Sequence, residues 1–209
     1  KVTIIDRRKK LLRFLDTDIL DTLCNSMRNS GIRVMQQEEV SGVRIEDQNR
    51  YREGIVYLES GRTVRSERVL VAAGRVSKIE ALDLDRIGLP TDQTGLIKVD
   101  EDYQADVEGV YAVGDVIGFP ALVSTSMHQG RLAVLHSAGK ERPAKTILPM
   151  AIFTIPEIST VGFSEEQCRE QGFPYEVGTA RTAETPRGQI VGDEGLVKLI
   201  FRRDTKKIL

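Results

Sequence analysis

The run Val110-Tyr111-Ala112-Val113-Gly114-Asp115 decides the fold class. It is apolar without a polar alternation until its last two residues, the pattern of a strand buried on both faces. Its Gly-Asp end puts a carboxylate at the carboxyl edge of a sheet, which is where α/β proteins receive ligands. A loop with Gly118 and Pro120 follows, then a predicted helix over residues 122–138 that Gly139 stops. Strand, loop and helix in that order define a unit of an α/β fold.

Upstream, residues 1–75 read as most of a nucleotide-binding α/β unit. A first strand ends at Asp6. A helix is predicted from Asp16 to Asn29, because Leu20, Leu23, Cys24 and Met27 fall at i, i+3, i+4 and i+7 and make one apolar stripe. Asp16 or Thr17 is the expected cap, and Gly31 the expected left-handed stop. Strands are expected at Ile32–Met35, Val40–Glu46 and Gly54–Leu58. Ser60-Gly61 is expected to turn the chain, and Arg68–Ala73 to return it as a buried strand. Residues 76–146 form a second block, with an irregular Leu82–Leu89, a strand at Gly95–Val99 and the decisive run. Pro143–Pro149 reads as a linker.

Residues 147–209 read as a third, α+β module. Strands are expected at Ile152–Ile155, Glu157–Gly162, Tyr175–Ala180, Gln189–Val191 and Leu196–Phe201 in an antiparallel sheet. A helix is expected over Ser164–Gly172, opened by a Ser164/Gln167 capping box. The hairpin beginning at Leu196 has only the start of a second arm at Lys207-Ile208-Leu209, and Lys1 leads straight into a strand that needs a neighbour. The expectation is a piece of a longer protein, cut through the fold at both ends, whose stability in isolation is doubtful.

Composition narrows the classes. The 209 residues are 40% hydrophobic with a net charge of −1. This is neither a disordered composition nor the cationic surplus that a general nucleic-acid binder needs. No run approaches the roughly 18 apolar residues of a membrane span. The two cysteines, Cys24 and Cys168, lie far apart with no C-x-x-C spacing. No disulfide framework or metal site is expected, and a reducing cytoplasm is the expected compartment. Cys24 belongs to the helix stripe, whereas Cys168 is expected on a short surface helix and open to solvent. His128 and His136 share a helix face without a carboxylate or thiol to complete a metal set.

Three clusters carry candidate chemistry. Asp6 is followed by Arg7, Arg8, Lys9, Lys10 and Arg13. An acid at the end of a Rossmann strand accepts the ribose hydroxyls of NAD, and arginines just beyond it suit the 2′-phosphate of NADP. Both are present, and the plain alternative is a solvated basic loop. Asp115 can accept a hydroxyl of a polyol such as the ribityl chain of FAD, with Gly114 letting a ligand approach. The helix start at Leu122 and Val123 offers free N–H groups to electron-rich groups of a flavin. The plain alternative is a turn aspartate. Gly74 and Arg75 close the first block, where Arg75 is either a dinucleotide contact or an ordinary loop residue.

The order of these blocks, with Phe153-Thr154-Ile155-Pro156-Glu157 and Val161-Gly162 after the decisive run, resembles the flavoprotein disulfide reductase superfamily over essentially the whole chain. The resemblance implies an α/β fold with Rossmann-like segments: a partial NAD(P)-binding domain at 1–75, a return segment of the FAD-binding domain at 76–146, and a partial dimerisation domain at 147–209. It implies that Asp115 holds the ribityl chain, that the helix start at Leu122 faces the flavin, and that Asp6, Arg7 and Arg13 read the adenosine end of NAD(P). It further implies a homodimer. Gly114–Pro120, Gln129-Gly130-Arg131, Thr154–Ser159, Pro174–Gly178 and Gln189–Gly192 are most similar to the branch that passes hydride between NADPH and NAD⁺ through FAD. That chemistry asks no residue here to act as acid or base. Two alternatives stay open: a dithiol–disulfide reductase like dihydrolipoyl dehydrogenase, and a nucleotide-binding or assembly module without catalysis.

Overall fold

The computed structural model describes residues 1–48, 51–141, 143, 147–192 and 195–209. The chain divides into two compact units, one of Lys1–Val71 with Ile152–Leu209 and one of Ala72–Ala151.

In the first unit, β1 (Thr3–Asp6) and β2 (Arg33–Gln36) pair in parallel, from Thr3 opposite Arg33 to Asp6 opposite Gln36. The crossover between them is α1 (Thr17–Asn29). Its apolar stripe does what the periodicity predicts. Leu20, Leu23 and Cys24 are buried, and Met27 packs beside them. Gly31 takes the left-handed conformation at φ 79°, and the N–H of Ile32 reaches back to the Met27 carbonyl at 2.9 Å. Leu15 and Ile158 complete this core. A second cluster, of Met35, Val56 and Leu58, joins β2 to an antiparallel meander of β3 (Val40–Gln48), β4 (Tyr51–Leu58) and β5 (Thr63–Ser66).

The meander corrects one expectation. After Ser60-Gly61 the return strand is Thr63–Ser66, paired with Tyr57–Gly54. Arg68–Ala73 forms no strand, and Leu70 and Val71 are 90% and 75% exposed. A buried parallel strand needs neighbours on its edges, and among the described residues no strand pairs with this run, although Val69 packs close against Gly54 of β4.

Toward the C-terminus, β6 (Met150–Ile152), of which only Ile152 falls in the first unit, pairs with β7 (Ile158–Thr160), and within that unit β8 (Tyr175–Arg181) runs antiparallel to β9 (Leu196–Arg202). The single antiparallel sheet expected here is therefore two separate pairs. Helix α3 (Glu165–Glu170) opens with the predicted capping box. The Ser164 hydroxyl accepts the Gln167 N–H at 3.2 Å, and the Gln167 side chain accepts the Ser164 N–H at 2.9 Å. Cys168 on that helix is fully buried rather than solvent-exposed, and burial pushes its thiol pKa up. Gln189–Val191 is not a strand but the end of helix α4 (Pro186–Val191). Pro186 sits at its first turn, the Thr185 hydroxyl accepts the Gly188 N–H, and Gly192 closes it at φ 73°.

The second unit is built on Leu89, Ile97, Ala105 and Ala112. Its chain is extended but irregular. The expected strands at Gly95–Val99 and Val110–Asp115 appear only as isolated bridges, Thr91 to Ile97, Val99 to Ala105 and Gln104 to Tyr111. Ala112 and Gly114 are buried as predicted, while residues 114–117 wind into a 3₁₀ turn. With no neighbouring strand to pair along its length, an apolar run stays extended without forming a ladder. Helix α2 (Val123–Ser137) follows, and Gly139 ends it at φ 63°. Of the expected linker at 143–149, residues 144–146 lie outside the described residues. Among the described residues no helix is long and apolar enough to cross a membrane.

Candidate functional site

The candidate residues divide between the two units. In the first, β1 ends by presenting Asp6, whose Oδ1 accepts the N–H of Arg8 at 2.7 Å. The Asp6 carbonyl accepts the N–H of Glu38 at 3.2 Å. Glu38 itself is buried, and its carboxylate is met by the Arg62 guanidinium and, at 2.7 Å, by the Ser60 hydroxyl. Asp6 thus stands on a braced strand end. Arg7 lies 4.0 Å from Glu39 with its side chain 72% exposed, and Arg13 is exposed. Anchored carboxylates and exposed guanidiniums are the kinds of group that can take ribose hydroxyls and a phosphate.

Sequence reasoning missed what holds this loop in place. Lys198 of β9 has a side chain only 5% exposed and is ringed by three carboxylates. Its Nζ lies 3.2 Å from Asp16 Oδ2, 2.9 Å from Asp18 Oδ2 and 2.5 Å from Glu165 Oε1. Asp16 occupies the N-cap position of α1, but its side chain caps nothing there. It accepts the backbone N–H of Glu165 at 2.9 Å instead, which corrects its expected role. Burial alone would lower the Lys198 ammonium pKa. Hydrogen bonds to Glu165 and Asp18, and the charge of Asp16, outweigh it and hold the value above the ordinary lysine range. The hydrogen bond from Lys198, aided by one from the Tyr175 hydroxyl at 3.0 Å, holds the Glu165 carboxyl below its ordinary value. The one available sequence signal was a lysine in the middle of the apolar run Leu196-Val197-Lys198-Leu199-Ile200. Such a lysine is either turned to solvent or paired.

In the second unit, Gly114 has φ 78°, and a Cβ built there would sit 3.0 Å from the Ser126 hydroxyl. Its N–H donates to the buried Gln129 side chain at 2.7 Å. The positive φ favours glycine at this turn, and a side chain there would also crowd Ser126 of α2. Asp115, the next residue, is exposed. At the start of α2, the Leu122 N–H is used by the Pro120 carbonyl at 3.2 Å. No side chain caps the helix, its first turn carries no acidic residue, and Val123 is 78% exposed. An uncapped helix start without a carboxylate keeps its positive end available to an electron-rich group. Gly74, at φ 124°, and Arg75 lie on the exposed segment after residue 71 rather than at the exit of a buried strand. Of the two histidines of α2, His136 lies 3.7 Å from the Asp102 carboxylate. His136 shares a 2.8 Å hydrogen bond with the Tyr111 hydroxyl, and no metal-holding group occurs among the described residues.

Comparison with known proteins gives the class. The chain belongs to the pyridine nucleotide-disulphide oxidoreductase family: that family's model matches residues 1–130, and the model of its dimerisation domain matches residues 148–209. The expected α/β fold class is borne out by these matches. Among curated proteins, the chain is 40% identical to the soluble pyridine nucleotide transhydrogenase of Colwellia psychrerythraea, covering 100% of this chain and 45% of that protein. It is 41% identical to the one from an Enterobacter species at the same coverage. Among solved structures, it superposes on LpdA from Mycobacterium tuberculosis with a TM-score of 0.86 at 25% identity, covering 100% of this chain and 45% of that one. It superposes on the HOCl-induced flavoprotein disulfide reductase RclA from Escherichia coli with a TM-score of 0.87 at 25% identity, covering 100% and 48%. The chain spans less than half the length of these relatives.

The Lys198 cluster makes stability depend on pH at both ends. The lowered Glu165 pKa contributes stability above the ordinary carboxylate value of about 4.3 and loses it as acid passes through the lowered value. The raised Lys198 pKa contributes below about 10.4 and loses it only as the pH climbs through the raised value. Urea denaturation across pH should show wild type more stable than Glu165→Gln at neutral pH, with the gap closing below about pH 4. A gap that persists unchanged in acid contradicts the pairing.

Proposed function

We propose that the protein is an FAD-dependent oxidoreductase that passes hydride from NADPH to NAD⁺, a soluble pyridine nucleotide transhydrogenase acting in the cytoplasm as a homodimer. The observation that carries the reading is the pairing at the end of β1. An anchored Asp6 suits the ribose hydroxyls of NAD, and exposed Arg7 and Arg13 suit the 2′-phosphate of NADP. A site that must take both nucleotides in turn needs both kinds of group. An exposed arginine can swing to solvent when no 2′-phosphate is present. The identity of 40% to proteins bearing this name supports the same reading.

In this reading residues 1–75 belong to the NAD(P)-binding domain, 76–146 to the FAD-binding domain and 147–209 to the dimerisation domain. The break between the two family matches, at 130 and 148, supports the last of these boundaries. The fit of this chain to FAD rests on the uncapped, acid-free start of α2 and on an exposed Asp115 beside a glycine in the left-handed conformation at φ 78°. Asp115 would accept a hydroxyl of the ribityl chain. Gly114 would set the turn that aims it, and the N–H groups from Val123 onward would face the flavin ring. Gly74 and Arg75 would line the dinucleotide, Gly74 by its backbone conformation and Arg75 by an exposed guanidinium. Bound FAD supplies the relay, taking two electrons and a proton as hydride from one nicotinamide and returning them to another. The chain's part is to hold and orient. No side chain needs to move a proton.

A dimer is supported by the match to a dimerisation domain and by exposed apolar side chains in that region, with Phe153 80%, Ile155 92% and Ile190 85% exposed. A second reading, a dithiol–disulfide reductase, is favoured by the name of the RclA structural neighbour, at lower identity than the transhydrogenases.

The test is to supply the yellow holoenzyme with NADPH and an NAD⁺ analogue whose reduction is separately visible, then with NADH and lipoamide. Fast transfer to the analogue and none to lipoamide is expected; the reverse makes the protein a disulfide reductase. Asp115→Ala should weaken FAD retention about tenfold or more, the loss of a hydrogen bond to a charged group. Unchanged flavin content after gel filtration removes the role of Asp115.

A further inference from the structure

Two different supports hold the two halves of the nucleotide-reading segment. Asp6 is fixed by the β1–β2 ladder and by the N–H of Glu38. Residues 10–18, which carry Arg13, have no ladder. They are gripped instead by residues of the C-terminal segment of the same unit. Lys10 Nζ lies 2.6 Å from Glu166 Oε1. Leu12 and Leu15 pack in one core with Ile158. Asp16 and Asp18 close on Lys198, and Asp16 also takes the Glu165 N–H. Arg13 thus sits on a loop pinned at both ends and beneath by the module that matches the dimerisation domain.

We propose that this module is the frame that positions Arg13 for the 2′-phosphate of NADPH, with Lys198 and Glu166 as positioning residues that set nucleotide preference. The proposal rests on the reading of Arg13 as a 2′-phosphate contact. Because Asp6 is held independently, loosening the frame disturbs recognition of the 2′-phosphate and spares that of the ribose hydroxyls. Nucleotide choice is then coupled to the integrity of the dimerisation module. Lys198 is the stronger support because it is buried, whereas Glu166 forms a partly exposed pair.

The experiment measures KM and kcat for NADPH and for NADH in the FAD-loaded holoenzyme with one common acceptor. Glu166→Gln should raise the KM for NADPH about threefold, within the range of an exposed ion pair. Lys198→Met should raise it about tenfold, as expected for a displaced binding group. In both variants kcat and the KM for NADH should stay within about twofold of wild type. In an Arg13→Ala background neither substitution should raise the KM for NADPH further, since both act through Arg13. The proposal is overturned if both KM values rise together, or if the effects persist without Arg13. Should Lys198→Met fail to fold, Glu166→Gln decides alone, because its side chain is 48% exposed and tolerates the change. Arg13→Ala with an unchanged KM for NADPH removes the 2′-phosphate reading itself. Arg13→Ala with a raised KM and a silent Glu166→Gln removes only the frame.

Discussion

The ammonium of Lys198, buried among Asp16, Asp18 and Glu165, is the interaction on which the first unit depends. A charge taken out of water must be paired and hydrogen-bonded or it gives up its proton. Here the partners come from the start of α1 and from the first turn of α3, so satisfying one lysine fixes both helices against β9. Replacing such a buried pair by packed apolar groups is often harmless, whereas removing one partner typically costs about 3–5 kcal/mol. The cluster is therefore better understood as specifying an arrangement than as a source of net stability. The arrangement it specifies lays the N-terminal loop onto the C-terminal module, across 180 residues of sequence between Asp18 and Lys198.

That constraint fits the proposal that the end of β1 takes two nucleotides in turn. Asp6 is positioned by local pairing with β2, and its geometry is decided within a few residues of sequence. The arginines beyond it lie on a segment without secondary structure, and only tertiary contacts give that segment a fixed course. The flavin end follows a different logic. The turn at Gly114 uses a left-handed conformation that glycine takes without strain, and the buried Gln129 ties the turn to α2. Asp115 and the start of α2 then share one framework within the second unit.

Much of this was legible in the sequence wherever a signal was local. The stripe of Leu20, Leu23, Cys24 and Met27 gave α1 through its period, and Ser164 with Gln167 gave the start of α3 through its capping chemistry. The misreadings share a cause. Apolar content at Arg68–Ala73 and Val110–Asp115 says that a run suits burial but not which strand will pair with it, and in the structure neither run has a ladder. Gln189–Val191 looked strand-like by its β-branched residues, yet Thr185-Pro186 and Gly192 are helix boundaries and decide its conformation. Lys198 showed only as a lysine inside an apolar run, because its partners all lie far away in sequence, the nearest, Glu165, 33 residues off, and no local pattern records them. The same holds for Cys168, buried by contacts that a short amphipathic helix does not announce.

The account stands or falls on two nucleotides taking turns at one flavin. The most direct test is the initial-velocity pattern of the holoenzyme, with NADPH varied at several fixed concentrations of an NAD⁺ analogue. Alternate occupancy predicts parallel lines in the double-reciprocal plot, the mark of a ping-pong sequence. Lines that intersect would mean that both nucleotides are bound when hydride moves, and would contradict a single site at the end of β1 that reads each in turn.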